Sequence, residues 1–265
     1  MSNYNKQYWL ELDNIELIRE SKKLFNCLSL KFKYNENVVL IGPNGSGKSS
    51  IIDLIIRNIY PIHKNNSSLK IFGREKINIW EIRKKLSYLN TDLQSRIYPS
   101  STVLEVILSG INGKTRVIES EISSEAEKKA NDSLKILDLE KYSMSLFGNL
   151  SDGLKRRVLL ARAIINKPKI LILDEPCIYL DFKSKYIILD YLSKIIRTGT
   201  SVLIVTHSIE NIIPEIDKVV IINEGLVVKQ GTVSECIESQ ILSDVFNMQV
   251  QVKRIRGKLY LLPKE

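Results

Sequence analysis

The stretch that decides the fold is Gly42-Pro43-Asn44-Gly45-Ser46-Gly47-Lys48-Ser49. It follows the apolar run Val38–Ile41 and precedes an apolar-periodic run at residues 51–59. A short apolar run before a glycine-rich loop is typical of a buried strand, and the spacing after the loop is typical of a helix. The sequence therefore predicts a strand, a glycine loop and a helix in direct succession.

This loop has the spacing of a phosphate-binding P-loop, with Gly42, four further residues and then Gly47-Lys48-Ser49. Glycines let consecutive backbone N–H groups turn inward around phosphate groups. Lys48 is expected to reach the β- and γ-phosphates, and the hydroxyl of Ser49 to ligate Mg2+ where the helix dipole is positive. The alternative is a glycine-rich turn before an ordinary helix, and the complete motif in its strand-to-helix context argues against it.

The charge of the chain leaves two classes of partner open. The chain has 265 residues, enough for one large α/β domain or two small ones, and a formal net charge of +9 at pH 7. Such a charge suits nucleic acid or an anionic membrane surface, but Lys and Arg are spread along the chain without forming a separate block. A composition generally rich in Lys, Asn and Ile explains the charge equally well.

Cysteine content and hydropathy favour a reducing compartment. Cys27, Cys177 and Cys236 are odd in number and widely spaced, so neither a disulfide framework nor a CxxC metal site is expected. The N-terminus lacks the basic-then-apolar pattern of a signal peptide, and charged residues break every apolar run before it reaches the length of a membrane helix. Any membrane role is therefore expected to need a separate partner chain.

Alternating apolar and polar residues at positions 8–18 and 27–34 predict two half-buried antiparallel strands. Beyond the P-loop, Pro61 is expected to end the first helix, since proline cannot continue one. Three further segments then carry strand or helix signals. A short strand is predicted at 69–72, a helical turn leading into a strand at 82–89, and a last strand pair at 250–262.

The middle of the chain has helical spacing. Apolar residues recur at three- and four-residue intervals from 90 to 149, including the segment 118–137. The charged run at 119–129 within that segment indicates a solvated helix face. Since residues 151–165 also have helical spacing, a helical subdomain is predicted at about residues 90–165.

The second half of the chain alternates short β-branched runs with helices, which favours a parallel sheet covered on both faces. Glu224-Gly225 predicts a tight turn between two strands. We therefore expect an α/β fold with a mostly parallel core sheet, an antiparallel β subdomain and a helical insert, as one domain over residues 1–265. The β-branched runs lie at residues 169–173, 202–206 and 219–223.

Two carboxylates, Asp174 and Glu175, end the first of these apolar strands. Asp174 can hold the Mg2+ shell beside Ser49. Glu175 would project toward the γ-phosphate and polarise a water for in-line attack as general base, a role worth about 10²- to 10⁴-fold in rate. Asp-Glu is common at strand ends by chance, and the P-loop upstream is what favours the catalytic interpretation.

Six motifs follow one another in the chain, and the ordered set is far more specific than any single member. They are the P-loop, Gln94, Leu150-Ser151-Asp152-Gly153-Leu154, Leu173-Asp174-Glu175-Pro176, Leu180-Asp181 and Thr206-His207. In this order they resemble the ATP-binding cassette (ABC) ATPases, a class of P-loop NTPases, across essentially the whole chain. In that family the sequence between the P-loop and the signature run 150–154 folds as a helical subdomain, which matches the predicted insert.

The resemblance implies roles for two residues that would otherwise be unremarked. Gln94, on the family's Q-loop, would contact Mg2+ or the attacking water and relay the nucleotide state to the helical subdomain. His207 would contact the γ-phosphate as a switch. Taken alone, Gln94 would be an ordinary surface residue and His207 a turn cap, so both roles depend on the ordered set.

The resemblance also implies a head-to-tail pair of cassettes, with each ATP between the P-loop of one and the signature run of the other. Ser151 and Gly153 would then offer a hydroxyl and a backbone N–H to the γ-phosphate bound by the second cassette, and Asp181 would lie at the dimer seam. The catalytic set is Glu175, His207 and Gln94, and the metal ligands are Ser49, Gln94 and Asp174. The nucleotide-binding set is Gly42, Pro43, Asn44, Gly45, Ser46, Gly47, Lys48, Ser49, Ser50, Arg19, Ser151, Gly153, Asp174 and Asp181.

Several positions depart from the family pattern, among them Cys177, Ile178 and Tyr179, which replace the small residues usual between the Asp174-Glu175 pair and Leu180-Asp181. Asp152 stands where Gly or another small residue is usual, and Leu154 stands where Gln or Glu is usual. The Asp152 carboxylate would either repel the triphosphate or cap the helix and face away. Arg19 replaces an aromatic residue that stacks on adenine, and its planar guanidinium can stack with less contact area.

The sequence therefore predicts an ATPase that uses ATP and Mg2+ and works with a second cassette, expected to be an identical copy. The first hypothesis is the energising subunit of a transporter, cytoplasmic and held by separate membrane permease subunits at the cytoplasmic face of the inner membrane. The second is a soluble ABC ATPase acting on nucleic acid or a protein assembly, which the absence of a second cassette and of long coiled coils disfavours. The third is an ATP-sensing module with little turnover, suggested by Asp152 and Leu154.

Overall fold

The computed structural model describes residues 7–19, 21–115 and 123–264. The chain divides into two compact units, one combining Met1–Arg83 with Ser201–Glu265 and the other formed by Lys84–Thr200. Eleven strands lie in the described residues. They are β1 (Tyr8–Arg19), β2 (Lys22–Lys33), β3 (Val38–Ile41), β4 (Ser68–Ile71), β5 (Leu86–Leu89), β6 (Ile170–Asp174), β7 (Ser201–Thr206), β8 (Lys218–Asn223), β9 (Leu226–Gly231), β10 (Val250–Ile255) and β11 (Lys258–Pro263).

Nine α-helices lie among the same residues, with short 3-10 turns between some of them. They are α1 (Lys48–Ile55), α2 (Ile79–Lys85), α3 (Leu93–Arg96), α4 (Val103–Leu108), α5 (Ser124–Ile136), α6 (Asp152–Ile164), α7 (Phe182–Arg197), α8 (Val233–Cys236) and α9 (Ser239–Phe246).

The first unit contains an antiparallel sheet in the order β2-β1-β4. Leu12 of β1 faces Leu30 of β2 on one side and Leu69 of β4 on the other, and all three side chains are buried. Because successive strand residues point to opposite faces, the alternation in the sequence places these apolar residues on one side. The predicted antiparallel strands at 8–18 and 27–34 are confirmed.

The same unit holds the strand that leads into the P-loop. β3 lies between β7 and β8, parallel to both, so that Val39 pairs with Ile204 on one side and Val219 on the other. All four residues of β3 are buried, as expected for a parallel strand covered on both faces. β9 returns antiparallel to β8 through Glu224 and Gly225, both at positive φ (48° and 75°), which confirms the predicted tight turn.

The P-loop helix α1 ends before Pro61, so the prediction that this proline stops it was wrong. Arg57 adopts a left-handed conformation at φ 62°. The N–H of Asn58 donates to the carbonyl of Asp53 at 2.9 Å and that of Arg57 to Leu54 at 3.3 Å, which is the hydrogen-bond pattern of a Schellman cap. Backbone capping at Arg57 therefore ends the helix at Ile55, and Pro61 lies in the following loop.

The second unit combines a strand pair with a helical layer. β5 and β6 run parallel, with Leu86 opposite Ile170, and β6 is buried along its apolar residues. Helices α4, α5 and α6 pack together through apolar faces, which fits the predicted helical spacing of residues 90–165. The prediction for 118–137 is tested only from Ser123 onward, since residues 116–122 lie outside the described part of the chain.

Asp138, just after the end of α5, contacts both α6 and α7. Its side chain accepts hydrogen bonds from the hydroxyl of Tyr191 at 2.8 Å and from Nζ of Lys194 at 3.1 Å, both on α7. Its backbone carbonyl accepts from the guanidinium of Arg157 on α6 at 2.8 Å. Because the Tyr191 hydroxyl and Lys194 donate to it, the pKa of Asp138 lies below its ordinary value.

The C-terminal part of the chain adds a small hairpin. β10 and β11 pair antiparallel, with Val252 opposite Leu261, and confirm the predicted strand pair.

Within residues 7–19, 21–115 and 123–264, no helix combines the length and the apolarity needed to cross a lipid bilayer. The fold is thus α/β, with a parallel-rich sheet, an antiparallel β sheet and a helical insert.

Candidate functional site

The P-loop is shaped by its glycines. Gly45 and Gly47 have φ values of 80° and 102°, a region that residues with a side chain rarely adopt. Gly42 needs its lack of a side chain for a different reason, because a Cβ there would lie 2.0 Å from the carbonyl oxygen of Ile222. The loop backbone is therefore fixed both by conformation and by close packing.

Lys48 opens α1 and is buried against the loop. Its Nζ donates hydrogen bonds to the carbonyl oxygens of Gly42 and Pro43, each at 2.8 Å. An ammonium held in this way is a preformed positive charge beside the N–H groups at the start of the helix, which have no partner inside the helix. Ser49, the next residue, is exposed and can offer its hydroxyl to a cation.

Ser46 links the loop to the β8–β9 turn. Its carbonyl accepts a hydrogen bond from the N–H of Gly225 at 3.1 Å. Its hydroxyl is buried and has no hydrogen-bond partner among the described residues. A buried polar atom without a partner is costly, so this oxygen fits a loop that is completed by a bound phosphate.

Arg19 lies over α1 and contacts its side chains. Its Nη1 donates to the hydroxyl of Ser50 at 3.3 Å and lies 3.6 Å from Asp53. Ser50, assigned to the nucleotide-binding set, is buried and used in this contact. The guanidinium is half-exposed, so its flat face has room to stack, and the predicted contact with adenine stays a prediction.

His207 is exposed directly after β7, and hydrogen bonds to the neighbouring Thr206 hold the turn that carries it. The buried hydroxyl of Thr206 accepts hydrogen bonds from the Ser208 N–H at 3.2 Å and from Nδ2 of Asn211 at 2.9 Å. These bonds close the turn around His207 and restrict its backbone. Asn211 was not predicted as part of the site, because its role depends on the fold of this turn.

In the second unit, the end of β6 presents the two predicted carboxylates. Asp174 accepts a hydrogen bond from the hydroxyl of Tyr88 on β5 at 3.4 Å. Glu175 has a φ of 48°, uncommon for a residue with a side chain. Strained backbone of this kind is frequent at functional positions, because the surrounding structure must hold it. Tyr88 was not predicted as part of the site, and only its position in the neighbouring parallel strand reveals it.

Gln94 and Asp152 are brought into contact. Nε2 of Gln94 donates to Oδ1 of Asp152 at 3.2 Å, and Lys155 lies 4.0 Å from the same carboxylate oxygen. The Asp152 side chain is 67% exposed, so it lies at the surface of the unit. Neither of the two orientations expected for Asp152 described this contact, which joins a Q-loop residue to the signature run.

The signature helix is capped by Ser151 rather than by Asp152. The hydroxyl of Ser151 accepts from the N–H of Leu154 at 3.4 Å, and α6 begins at Asp152. The expectation that Asp152 could cap the helix was wrong, because Ser151 is the N-cap and Asp152 is the first helical residue. Gly153 packs closely, since a Cβ there would lie 2.4 Å from the hydroxyl of Ser184.

Asp181 is the N-cap of α7. Its Oδ1 accepts from the N–H of Ser184 at 2.6 Å, and this hydrogen bond lowers the pKa of the carboxyl below its ordinary value. The flanking aromatic residues Tyr179 and Phe182 are 87% and 76% exposed. Both aromatic side chains are therefore accessible for contact with another protein.

All three cysteines are free thiols. Cys177 is buried, and burial raises its pKa to about 12. The thiol therefore stays protonated and neutral at physiological pH.

No cluster of three or more His, Cys, Asp or Glu that could hold a metal is present in the described ranges. That is compatible with Mg2+, which commonly takes only one or two protein oxygens together with water and substrate phosphates.

Comparison with known protein families identifies the family of this chain. The family model described as ABC transporter matches residues 25–178, which is more than half of the chain and includes the P-loop, the signature run and the Asp174-Glu175 pair. The chain belongs to this family. ATP hydrolysis is the characteristic activity of ABC ATPases, and the chain is an ATP-binding cassette of that kind.

Individual relatives agree with the assignment. The uncharacterized ABC transporter ATP-binding protein YlmA of Bacillus subtilis is 33% identical over 248 residues, covering 92% of each chain. The structure of cbiO1 from Clostridium perfringens, described as part of the ABC transporter complex cbiONQ, superposes with a TM-score of 0.76 at 23% identity, covering 91% of this chain and 95% of that one. The dimeric bacterial cassette MJ0796 gives a TM-score of 0.68 at 25% identity, covering 84% and 98%.

Proposed function

We propose that this ABC ATPase energises a membrane transporter, as one of two cassettes that close on MgATP and reopen after hydrolysis. The observation that carries the proposal is the preformed P-loop, in which two loop carbonyls hold the ammonium of Lys48 and the Ser46 hydroxyl is buried without a partner. Such a loop binds a triphosphate with little rearrangement. Residues 1–265 would form one ABC domain, with a helical subdomain at about 90–165.

In the proposed mechanism, Glu175 is the general base. It would take a proton from the attacking water, while Lys48 and the P-loop N–H groups stabilise the charge on the transferring phosphoryl group. Gln94 would orient the water, and His207 would contact the γ-phosphate from its braced turn. The left-handed backbone of Glu175 and the Thr206–Asn211 hydrogen bond support these assignments.

Mg2+ is proposed as the metal, with Ser49, Asp174 and Gln94 as its protein ligands. Their hydroxyl, carboxylate and amide oxygens are the hard donors that this ion prefers. The Gln94 nitrogen already donates to Asp152, so its amide oxygen is the atom suited to a cation. When bound, Mg2+ would neutralise negative charge on the phosphates.

The second cassette is proposed to be an identical copy. MJ0796, described as dimeric, is the similar structure that supports a pair. On this chain, the exposed Tyr179 and Phe182 on either side of Asp181 offer the apolar surface that an interface core requires. Ser151 and Gly153 would complete the ATP site of the other copy.

A permease is the proposed membrane partner, which would hold the cassette at the cytoplasmic face. The cbiO1 protein is described as part of a transporter complex, which is one precedent among similar structures. Coexpression with a multi-span membrane protein from the neighbouring genes tests this directly. Cosedimentation of the cassette with membranes only when that protein is present supports transport, and an equal soluble fraction in both cases contradicts it.

The ATPase assignment is tested with Glu175→Gln, which keeps the side-chain shape and removes the base. The variant should bind ATP, hydrolyse it at least about 100-fold more slowly, and accumulate as a dimer on size exclusion with MgATP. A variant that turns over normally and stays monomeric contradicts both the base and the paired arrangement.

An ATP-sensing module with little turnover is the second candidate function. The hydrogen bond between Gln94 and Asp152 favours it, because it engages the side-chain nitrogen of the residue proposed to orient the attacking water. Steady-state turnover of the wild type separates the two functions. Hydrolysis at rates of about 1 per second or more, ordinary for enzymes, rules out the sensor.

A further inference from the structure

A cavity of about 570 Å3 lies within the unit Lys84–Thr200. This is in the size range of pockets that hold small organic molecules, roughly 300–1,000 Å3. Its lining combines apolar walls with a few polar groups, which is also typical of such pockets. The lining residues that matter here are Gln94, Phe147, Asp152, Lys155, Arg156 and Leu180.

The unusual member of this lining is Arg156. It is only 4% exposed, and its Nη1 has no hydrogen-bond partner among the described residues. Burial lowers the pKa of the guanidinium, and the nearby ionisable group that acts on it is the thiol of Cys177. Because burial raises the pKa of that thiol to about 12, Cys177 is neutral and supplies no negative charge.

A buried charge without a counter-charge is strongly unfavourable, and folded proteins normally pair it or hydrogen-bond it. Arginine cannot relieve the cost by losing its proton at physiological pH. A guanidinium left in this state therefore indicates a missing anionic partner, in the same way that an unpaired buried donor indicates a missing acceptor.

The acidic residue of the lining does not fill this role. Asp152 lies at the exposed edge, where it accepts a hydrogen bond from Gln94 and lies near Lys155. Lys155 is itself largely buried, with 20% of its side chain exposed. The lining thus carries two cations and one carboxylate that is already engaged, which leaves the interior positive.

We propose that this cavity binds a small organic anion, a carboxylate or phosphate on an apolar body, with Arg156 as its counter-charge. The buried side chains of Ile97 and Phe147 provide the apolar walls for the body, and the guanidinium provides paired donors for the anionic oxygens. The site lies entirely within one unit and uses none of the P-loop residues. Its lining shares Gln94 with the proposed catalytic set and Asp152 with the signature run, so the proposal concerns ligand binding beside the ATP site, and it stands whether or not the transport function is correct.

Titration calorimetry of the full chain tests the proposal, with benzoate and phenyl phosphate as probes and benzyl alcohol as the uncharged control. The wild type should bind the two anions and not the alcohol. Arg156→Gln should bind the anions at least tenfold more weakly. Lys48→Ala should still bind both anions, because this variant loses phosphate binding at the P-loop and not at the cavity. Lys128→Gln, at an exposed position on α5, is the matched charge control and should behave as the wild type.

Thermal unfolding without ligand gives a second readout that does not depend on the choice of probe. Removing an unpaired buried charge should leave Arg156→Gln melting at or above the wild type, and only the wild type should gain stability from the two anions. Three results overturn the proposal. The first is a lower ligand-free stability of Arg156→Gln than of the wild type, and the second is anion binding that disappears in Lys48→Ala but persists in Arg156→Gln. The third is that the wild type binds neither anion while Arg156→Gln dimerises more weakly with MgATP. That third result would make the second cassette the anionic partner of Arg156.

Discussion

The P-loop and the signature run are held by different kinds of contact. At the P-loop, glycines lie directly against backbone and ring atoms, so that a Cβ on Gly42 would fall 2.0 Å from the Ile222 carbonyl and one on Gly47 2.6 Å from Phe25. At the signature run, the main contacts of the exposed Asp152 are side-chain pairs at the surface of the unit, with Gln94 at 3.2 Å and with the more buried Lys155 at 4.0 Å.

This difference separates a preformed half of the site from an adaptable one. Close backbone packing resists displacement, because interiors packed at this density transmit strain rather than absorb it. Exposed polar pairs contribute little net stability, typically about 1 kcal/mol or less, and can exchange partners readily. The P-loop is therefore expected to bind phosphate as it stands, and the signature run to change its contacts when ATP and a second cassette arrive.

The largest expected effect is at the P-loop charge. Lys48→Ala removes the ammonium that would neutralise the phosphates, and should reduce ATP hydrolysis to background. ATPase assays at saturating MgATP measure this, with Lys76→Ala at an exposed position as control. Wild-type turnover in the Lys48 variant would contradict the P-loop assignment. The contrast between a preformed P-loop and an adaptable signature run would then be lost as well.

A smaller but still large effect is expected at the turn that braces the loop. Gly225 has φ 75°, and a Cβ there would lie 1.7 Å from the Leu24 carbonyl. Gly225→Ala should cost about 1–2 kcal/mol for the left-handed conformation and about 1–3 more for the overlap, and should weaken ATP binding through Ser46.

Gly257→Ala is the matched control, because Gly257 has φ 79° and open space around its Cβ position. It should show the conformational cost alone. Chemical denaturation and ATP titration of both variants separate the two contributions. Equal losses of stability and of ATP affinity in Gly225→Ala and Gly257→Ala would contradict a rigid P-loop.

At the signature run we expect a modest gain of function. Asp152→Gly releases Gln94 and removes a carboxylate that would repel the γ-phosphate, and should lower the ATP concentration for half-maximal dimerisation by about 2- to 10-fold, as net contributions near 1 kcal/mol imply. Asp152→Asn keeps an acceptor for Gln94 but not the charge, so it isolates the repulsion. A midpoint unchanged at low salt in Asp152→Asn would exclude repulsion, since screening is weakest there.

The smallest effect is expected at Asp138. Its pKa is lowered by the Tyr191 hydroxyl and Lys194, so this carboxylate stabilises the fold above the unfolded pKa, about 4, and loses that contribution as the pH falls through the lower folded value. Tyr191→Phe should destabilise the protein by about 0.5 kcal/mol or less at pH 7, because solvent screens this exposed carboxylate, and by still less at pH 3. Urea unfolding at both pH values measures the difference, and a loss that grows in acid would contradict the assignment.

Local features of the sequence predicted most of the fold. The P-loop, the Glu224-Gly225 turn and the alternating strands follow from short-range rules of backbone conformation and side-chain period, and each is confirmed. The end of α1 was misplaced because proline is a strong signal in the sequence, whereas a left-handed Arg57 leaves no signal there.

The candidate site was less accessible to prediction where it depends on tertiary contacts. Gln94 and Asp152 are separated by 58 residues, and neither residue type specifies the other as a partner. The unpaired Arg156 could not be inferred either, because its burial depends on how α6 packs. The roles assigned to the catalytic and metal-binding residues remain predictions that the experiments above test.

The hydrogen bond from the Gly225 N–H to the Ser46 carbonyl makes one amide a reporter of the loop. Its exchange with solvent deuterium requires that bond to open, so the protection of this single amide measures the free energy of P-loop opening. A tenfold slower exchange on nucleotide binding would correspond to about 1.4 kcal/mol of added closure. The protein thus contains its own unlabelled sensor of phosphate-loop motion, in a turn that is remote in sequence from the loop it reports on.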